Sequence, residues 1–129
     1  MATGLPAVTG DILTAATFNG LITFTVGTAN TADYTAVLAD QYQVLEIMNK
    51  ATAVAFKIPT DASVAFPVGT ALTVLNIGAG AVTISAVTPG TTTVLSAGGT
   101  AASPTLGQYK TAVCLKTAAN TWYVVGAIA

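Results

Sequence analysis

The stretch AVAFKI at residues 53–58 shows the period of a β-strand more clearly than any other part of the chain. Val54, Phe56 and Ile58 alternate with a small and a charged residue. Successive side chains of a strand point to opposite faces, so this alternation predicts a half-buried strand with the three apolar side chains inward.

β-strand signals continue on both sides of this stretch. The predicted strands cover residues 21–26, 34–38, 43–49, 72–77, 82–87, 91–95, 109–117 and 121–128. The strands at 72–77 and 121–128 are apolar on both faces, which is typical of strands inside a sheet. Short strands spaced by turns, with hardly any helix, indicate an all-β fold. We therefore expect a single antiparallel β-sandwich or jelly-roll-like barrel of about eight strands.

Turn signals suggest how these strands connect. Residues 49–52 precede the 53–58 strand and read as a hairpin connection. The segment Gly78-Ala79-Gly80 offers glycines for a second hairpin turn, and residues 118–120 for the closing one. No internal repeat is apparent in the residue pattern.

The first 30 residues differ from the rest. Residues 1–30 are expected to form an N-terminal arm with a short helix at 14–19 and the first strand, and residues 31–129 the β-domain. One or two helical turns are not stable alone, so the arm must dock on the body or on a neighbouring chain. The predicted assembly-interface residues are Leu5, Pro6, Ile12, Leu13, Phe18, Leu21, Ile22 and Phe24.

The charge content is the most unusual feature of the composition. The chain of 129 residues has four Lys, five acidic residues, no His and a net charge of −1, whereas Ala occurs 25 times and Thr 23 times. Only 7% of the residues are charged, against about 25% in an ordinary domain. A soluble monomer normally has a charged, patch-free surface. This composition favours a subunit that packs closely against other protein.

The same composition argues against several other classes of partner. A net charge near zero gives no electrostatic reason to bind nucleic acid or an anionic membrane. No apolar run approaches the roughly 18 residues of a membrane-spanning helix. The N-terminus has neither the basic nor the apolar region of a signal peptide.

Residues for catalysis or metal binding are sparse. The single cysteine, Cys114, reads as a small strand residue, and no histidine is present to activate it. Asp33, Asp40 and Asp61 read as solvated turn residues, with calcium binding as the minor alternative. Glu46 has no acidic neighbour at the close spacing that a glycosidase needs. We therefore expect no enzyme, no metal and no cofactor.

Aromatic residues leave one alternative open. A stacking surface for sugars is conceivable, although aromatic residues near strand ends are more often part of the core. The residues concerned are Tyr34, Tyr42, Tyr109, Trp122 and Tyr123.

About 90 residues of the chain resemble a small β-module found in structural proteins of tailed bacteriophages. The resemblance lies in residues 34–40, 49–59, 63–70, 78–84, 108–116 and 120–126. Residues 9–19 are similar to the start of many phage fibre and appendage proteins. The module is found in fibres, tail components and head-surface proteins, so the resemblance implies a virion protein without giving its place. In this sequence neither a stalk nor a receptor-binding tip follows the module.

These observations lead to one main hypothesis and two alternatives. The main hypothesis is a virion structural protein on the outer surface of the capsid, a decoration or cement protein. We expect it to form a homo-oligomer, a trimer by preference, and to contact the major capsid protein. The first alternative is a tail-fibre or tail-tip subunit that binds a host glycan through residues 88–104 and nearby aromatic rings. The second is a soluble lectin-like binding module.

Overall fold

The computed structural model describes residues 15, 24–42, 44–96 and 103–128. Within these ranges the chain is mostly β-strand, with a short 3-10 helix at Leu38–Gln41. The strands are β1 (Thr25–Val26), β2 (Tyr34–Thr35), β3 (Val44–Met48), β4 (Val54–Ile58), β5 (Ala71–Asn76), β6 (Val82–Ala86), β7 (Thr93–Leu95), β8 (Thr105–Leu106), β9 (Lys110–Ala118) and β10 (Thr121–Gly126). The all-β prediction is confirmed. The expected helix at 14–19 lies outside the described residues, apart from Ala15.

The strands form two sheets. One has six strands in the order β1-β3-β5-β9-β10-β7, and the other has four in the order β2-β4-β6-β8. The stretch at 53–58 contains β4, and Val54, Phe56 and Ile58 are buried as its alternation predicts. β5, expected to be central because it is apolar on both faces, lies between β3 and β9.

From β1 to β6 the chain alternates between the two sheets, and this sets the direction of pairing. β1, β3 and β5 are parallel neighbours in one sheet, and β2, β4 and β6 in the other. β7 also pairs in parallel with β10. The expectation of an entirely antiparallel fold is therefore wrong. Each short loop carries the chain across to the opposite sheet, so the next strand in the same sheet runs in the same direction.

Two successive segments of the chain stack on each other with a constant offset in residue number. Each segment contributes one strand to each sheet: β3 and β4 from the first, β5 and β6 from the second. Leu45 pairs with Thr73 and Val54 with Val82, in each case 28 positions later. The turns at 49–53 and 77–81 stack in the same way, since the Gly80 N–H donates to the Lys50 carbonyl at 2.9 Å. These turns connect the two sheets, so the hairpins predicted there are wrong. The backbone also has a repeat that the residue pattern did not show.

Glycine is required where the two turns touch. A Cβ on Gly78 would overlap the backbone of Lys50, and one on Gly80 would overlap the Thr52 carbonyl. Buried Asn76 holds the same turn: its amide donates to the Gly80 and Leu106 carbonyls at 2.9 and 3.0 Å, and its side-chain oxygen accepts from Gly78. Glycine is used in this turn for close backbone approach, and not for the positive φ of a hairpin.

The last part of the chain closes the fold with antiparallel pairs. β9 and β10 form the predicted closing hairpin, with Asn120 at a positive φ of 47° in its turn. β9 also pairs antiparallel with β5, and β8 with β6. β7 takes up part of the predicted strand at 91–95 and ends the six-stranded sheet.

A common apolar core connects the two sheets. Side chains from β3 to β10 contribute to one buried cluster, in which the rings of Phe66 and Trp122 meet edge to face at 5.5 Å. Such an arrangement is favourable for aromatic pairs. The inward side chains of the two sheets therefore pack against each other, and a partner can bind only to the outer faces, the edges or the loops.

One ion pair lies inside this core. Lys116 points inward from β9, with 3% of its side chain exposed, and its Nζ donates to Asp61 Oδ1 at 2.7 Å and to the Phe66 carbonyl. Asp61 also accepts from the Asn120 N–H at 3.0 Å. Partial burial acts to raise the pKa of Asp61, but its bonds with Lys116 and Asn120 outweigh this and hold the pKa below its usual value. The pair ties the loop after β4 to the β9–β10 turn.

Candidate assembly interface

Most residues predicted for the interface cannot be placed. Leu5, Pro6, Ile12, Leu13, Phe18, Leu21 and Ile22 lie outside the described residues. Phe24 is described and comes directly before β1, and 53% of its surface is exposed. The described part of the chain nevertheless offers a larger apolar surface, which the sequence reasoning did not single out.

This surface is the outer face of the six-stranded sheet, which we call the apolar face. Strand register places its side chains in three rows across the sheet, and the outward pair Thr93 and Thr121 lies beyond the first row. The name refers to the three rows. The first row is Leu95, Tyr123, Leu115 and Ala71; the second is Val125, Val113, Thr73, Leu45 and Val26; the third is Thr111, Leu75 and Ile47. None of these side chains is charged, and all are exposed or half-buried.

Four members of the apolar face are large and exposed. Val26 and Val125 have 65% and 47% of their surface exposed, and Tyr123 and Leu115 have somewhat more than a third. Single exposed apolar residues are normal on a protein surface. Here Tyr123, Leu115 and Val125 are neighbours on β9 and β10, and the half-buried row of Val113, Thr73 and Leu45 connects them to Val26 on β1.

The outer face of the four-stranded sheet, the polar face, is different. Its rows are Thr35, Lys57 and Ser85, and Ala55, Thr83 and Thr105. Lys57 lies 3.8 Å from Asp33, which also accepts from the Ala55 N–H. Side chains that are small, hydroxylated or charged can remain in water at little cost, so this face needs no partner.

The few charged residues contribute even less to the surface than the composition suggests. Asp40, Glu46 and Lys116 are buried, and Asp61 is bound to Lys116. The expectation that Asp40 is a solvated turn residue is therefore wrong, because the 3-10 helix turns it inward. Of the charged residues described, Asp33, Lys50, Lys57 and Lys110 remain outside the core.

Asp40 and Glu46 form a buried acid pair on the inner side of the six-stranded sheet, near its β1 edge. Tyr34 Oη donates to Asp40 Oδ2 at 2.7 Å, and so does the Val37 N–H at 2.9 Å. Glu46 points inward from β3 and shares a hydrogen bond with Asp40. Spacing along the chain shows no acidic neighbour for Glu46, because the pairing depends on the fold of the intervening segment.

Burial is the main cause of the raised pKa of Glu46. It raises this pKa to about 7, helped by the hydrogen bond with Asp40 and the negative charge of Asp40, while the Asn30 side chain partly opposes the shift. Burial and the bond to Asp40 raise the pKa of Tyr34 as well. The Glu46 carboxyl group therefore holds a proton up to near neutral pH.

The remaining candidate groups are dispersed. Cys114 is fully buried, and burial raises the pKa of its thiol to about 12, which leaves it unreactive at neutral pH. Trp122 and Tyr34 are part of the core or packed against it, so they cannot join an exposed stacking surface.

Within the described ranges, no cluster of three or more His, Cys, Asp or Glu is suited to hold a metal ion. The described residues likewise contain no helix with the length and hydropathy to cross a membrane.

Tyr109 is the most exposed of the large hydrophobic side chains described. It lies in the turn before β9 at a φ of 60°, with 76% of its surface exposed, and its N–H donates to the Asn76 carbonyl. A bulky residue with positive φ is uncommon and is often found where a side chain is presented to a partner. Among the described aromatic rings it is the most open to a ligand.

Comparison with known proteins adds no relative: no protein-family model, no curated protein and no solved structure matches this chain.

Proposed function

We propose that this protein is a non-enzymatic structural subunit of a bacteriophage virion. In this proposal it is a two-sheet β-sandwich that binds the outer surface of the head shell, contacts the major capsid protein and stabilises the shell as a decoration or cement protein. The single observation that carries the proposal is the apolar face, a continuous uncharged surface on a chain that buries three of its few charged side chains.

The surface chemistry supports a building block. Large contiguous apolar patches on soluble proteins mark sites of interaction. Side chains such as Val, Thr and Ala lose little conformational entropy when they are packed. Many copies on a lattice convert modest contacts into strong overall binding. The resemblance of residues 34–40, 49–59 and 120–126 to a phage structural module supplies the setting.

The described chemistry offers little for catalysis. Asp40, in the 3-10 helix, and Glu46, on β3, are both buried, and Asp40 is bonded to Tyr34 and to the Val37 backbone. Cys114 is buried. These groups are enclosed by the fold, which agrees with a protein that acts through its surfaces.

The test is to locate the protein on virions by electron microscopy with an antibody raised against the purified chain. We expect label distributed over the head. Purified protein should also bind to heads from which it has been stripped, and should raise the temperature at which they release DNA. Label confined to the tail would favour the first alternative, and virions without label would contradict both.

The tail alternative has one observation in its favour, the exposed ring of Tyr109. A sugar ring can stack on an aromatic face, and Gln108 beside it is exposed. A glycan array with the wild-type chain and the Tyr109→Ala variant tests this function. Binding that is lost in the variant would support a receptor-binding subunit, or a soluble lectin-like module if no virion carries the protein.

A further inference from the structure

We propose that the apolar face is the contact between copies of this chain. The surface that carries the proposed function is here assigned to a neighbouring copy of the chain, so on the shell the contact with the capsid protein lies elsewhere on the subunit. This proposal rests on the face alone, so the two can fail separately.

Charge is the first reason to choose a second copy. A two-fold contact brings equivalent patches together, and any charge near the symmetry axis then faces its own kind. The three rows of the apolar face contain no charged residue, from Leu95 and Val125 at one side to Val26 at the other. A partner that brings charged side chains would leave them desolvated and unpaired here, at a high cost. The face therefore favours its own copy.

The relief of the face is the second reason. At two of its three outward positions β5 presents the small side chains of Ala71 and Thr73, and at the third it presents Leu75. Larger side chains flank Ala71 and Thr73 on both sides, with Leu45 on β3 and Val113 and Leu115 on β9. The face thus has a shallow depression over Ala71 and Thr73. A copy related by a two-fold axis can place its larger side chains in this depression and receive those of the first copy in its own.

The size of the face is consistent with a stable contact. Six strands spaced by about 4.8 Å span roughly 24 Å, and five residues of strand cover about 17 Å. The flat area is then about 400 Å², and the accessible surface of a pleated face is larger than its flat area. Stable interfaces bury about 600–1,000 Å² per partner. The face can supply much of that, with Phe24 beside its β1 edge adding more.

The experiment compares two threonines that are matched in all but the face they occupy. Thr73 lies on β5 in the middle of the apolar face, and Thr83 on β6 in the middle of the polar face. Both point outward and both are half-buried. The variants are Thr73→Lys and Thr83→Lys in the full chain, and the measurements are native mass spectrometry and light scattering over a range of concentrations.

The expected results differ sharply. Wild type forms an oligomer at micromolar concentration, and its mass gives the number of copies. Thr73→Lys weakens association by more than about 100-fold, because a lysine at the contact is buried without a partner. Thr83→Lys associates like wild type. Far-UV circular dichroism checks that both variants are folded.

A milder variant protects the test against misfolding. Val125→Thr keeps a β-branched side chain on β10, and we expect it to weaken association by about 5- to 10-fold through lost apolar contact. A wild-type chain that stays monomeric at all concentrations would overturn the proposal. Equal behaviour of Thr73→Lys and Thr83→Lys would do the same. If the oligomer responds as expected but virions carry no label, the proposed function fails and the contact stands.

Discussion

The two outer faces of this molecule are built from the same type of strand but present opposite chemistry to their surroundings. The three rows of the apolar face carry Val, Leu and Ile with one alanine, two threonines and one tyrosine, whereas the polar face carries Thr, Ser, Ala and one Lys. Both sheets bury their inner faces in one core. Fold stability therefore does not explain the difference, whereas the second copy proposed above for the apolar face would.

The largest expected effect comes from the turn that sets the register of both sheets. Gly80→Ala would place a Cβ on the Thr52 carbonyl, so the stacked turns must separate. We expect a loss of more than about 4 kcal/mol in the free energy of unfolding, or failure to fold. Chemical denaturation provides the measurement. Both faces would be disturbed together, because register decides which side chains point outward.

Gly90→Ala is the matched control for that variant. Nothing lies within 4 Å of a Cβ at Gly90 and its φ is not positive. We expect a change within about 0.5 kcal/mol, or a slight stabilisation from a less flexible unfolded chain. A large loss at Gly90, or none at Gly80, would contradict the stacking described above.

The next effect tests the ion pair between Lys116, on β9 of the six-stranded sheet, and Asp61. Asp61→Asn removes the counter-charge of Lys116, whose ammonium is then buried with the Phe66 carbonyl as its remaining partner. We expect a loss of roughly 3 kcal/mol in the free energy of unfolding. Adding Lys116→Met should recover most of it, because no buried charge is then left unpaired. A double variant as unstable as Asp61→Asn would rule out the charge as the cause.

Glu46, buried on β3 near the β1 edge of the six-stranded sheet, makes the free energy of unfolding depend on pH. The pKa of Glu46 is about 7 in the folded chain and near 4.5 when unperturbed. Between these values the folded state binds more protons than the unfolded state, so stability falls as pH rises. Glu46→Gln cannot titrate. We expect it to be roughly 2–3 kcal/mol more stable than wild type at pH 8, and similar at pH 5.

Thermal unfolding at several pH values measures this difference. Asp61 acts in the opposite sense, since its depressed pKa stabilises the fold above about pH 4 and that stability is lost in stronger acid. The wild-type chain should therefore be most stable near pH 4–5. A Glu46→Gln profile that falls in parallel with wild type would show that another group titrates.

Alternation along single strands predicted much of what the structure shows. It gave the inward set of β4, the two apolar sides of β5 and β10, and the closing hairpin. Alternation reports which side chains share a face, but it says nothing about the strand beside them. The parallel pairing, and the turns at 49–53 and 77–81 that lead from one sheet to the other, do not follow from alternation. They depend on contacts between residues 28 positions apart in the chain.

The candidate site was harder to predict for a related reason. The low charge content indicated an assembly surface, but attention fell on the apolar residues of the first 24 positions. The apolar face uses one or two outward side chains from each strand, and only strand register brings Val26, Val113 and Val125 into one row. The two-sided apolar pattern of residues 72–77 and 121–128 was the signal. Such a pattern is equally typical of a strand buried on both sides within its own chain.

The smallest expected effect lies on the polar face and completes the contrast. Lys57→Gln removes the only charge that the polar face carries at the described strand positions. It also removes the 3.8 Å contact between Lys57 and Asp33, two side chains that are both well exposed. Exposed ion pairs contribute little, so we expect a change within about 0.5 kcal/mol in the free energy of unfolding. Association should also be unchanged, by the same native mass spectrometry as for Thr73→Lys. Weaker association in Lys57→Gln would mean that the polar face binds a partner too, and the two faces would then differ in the kind of contact they make.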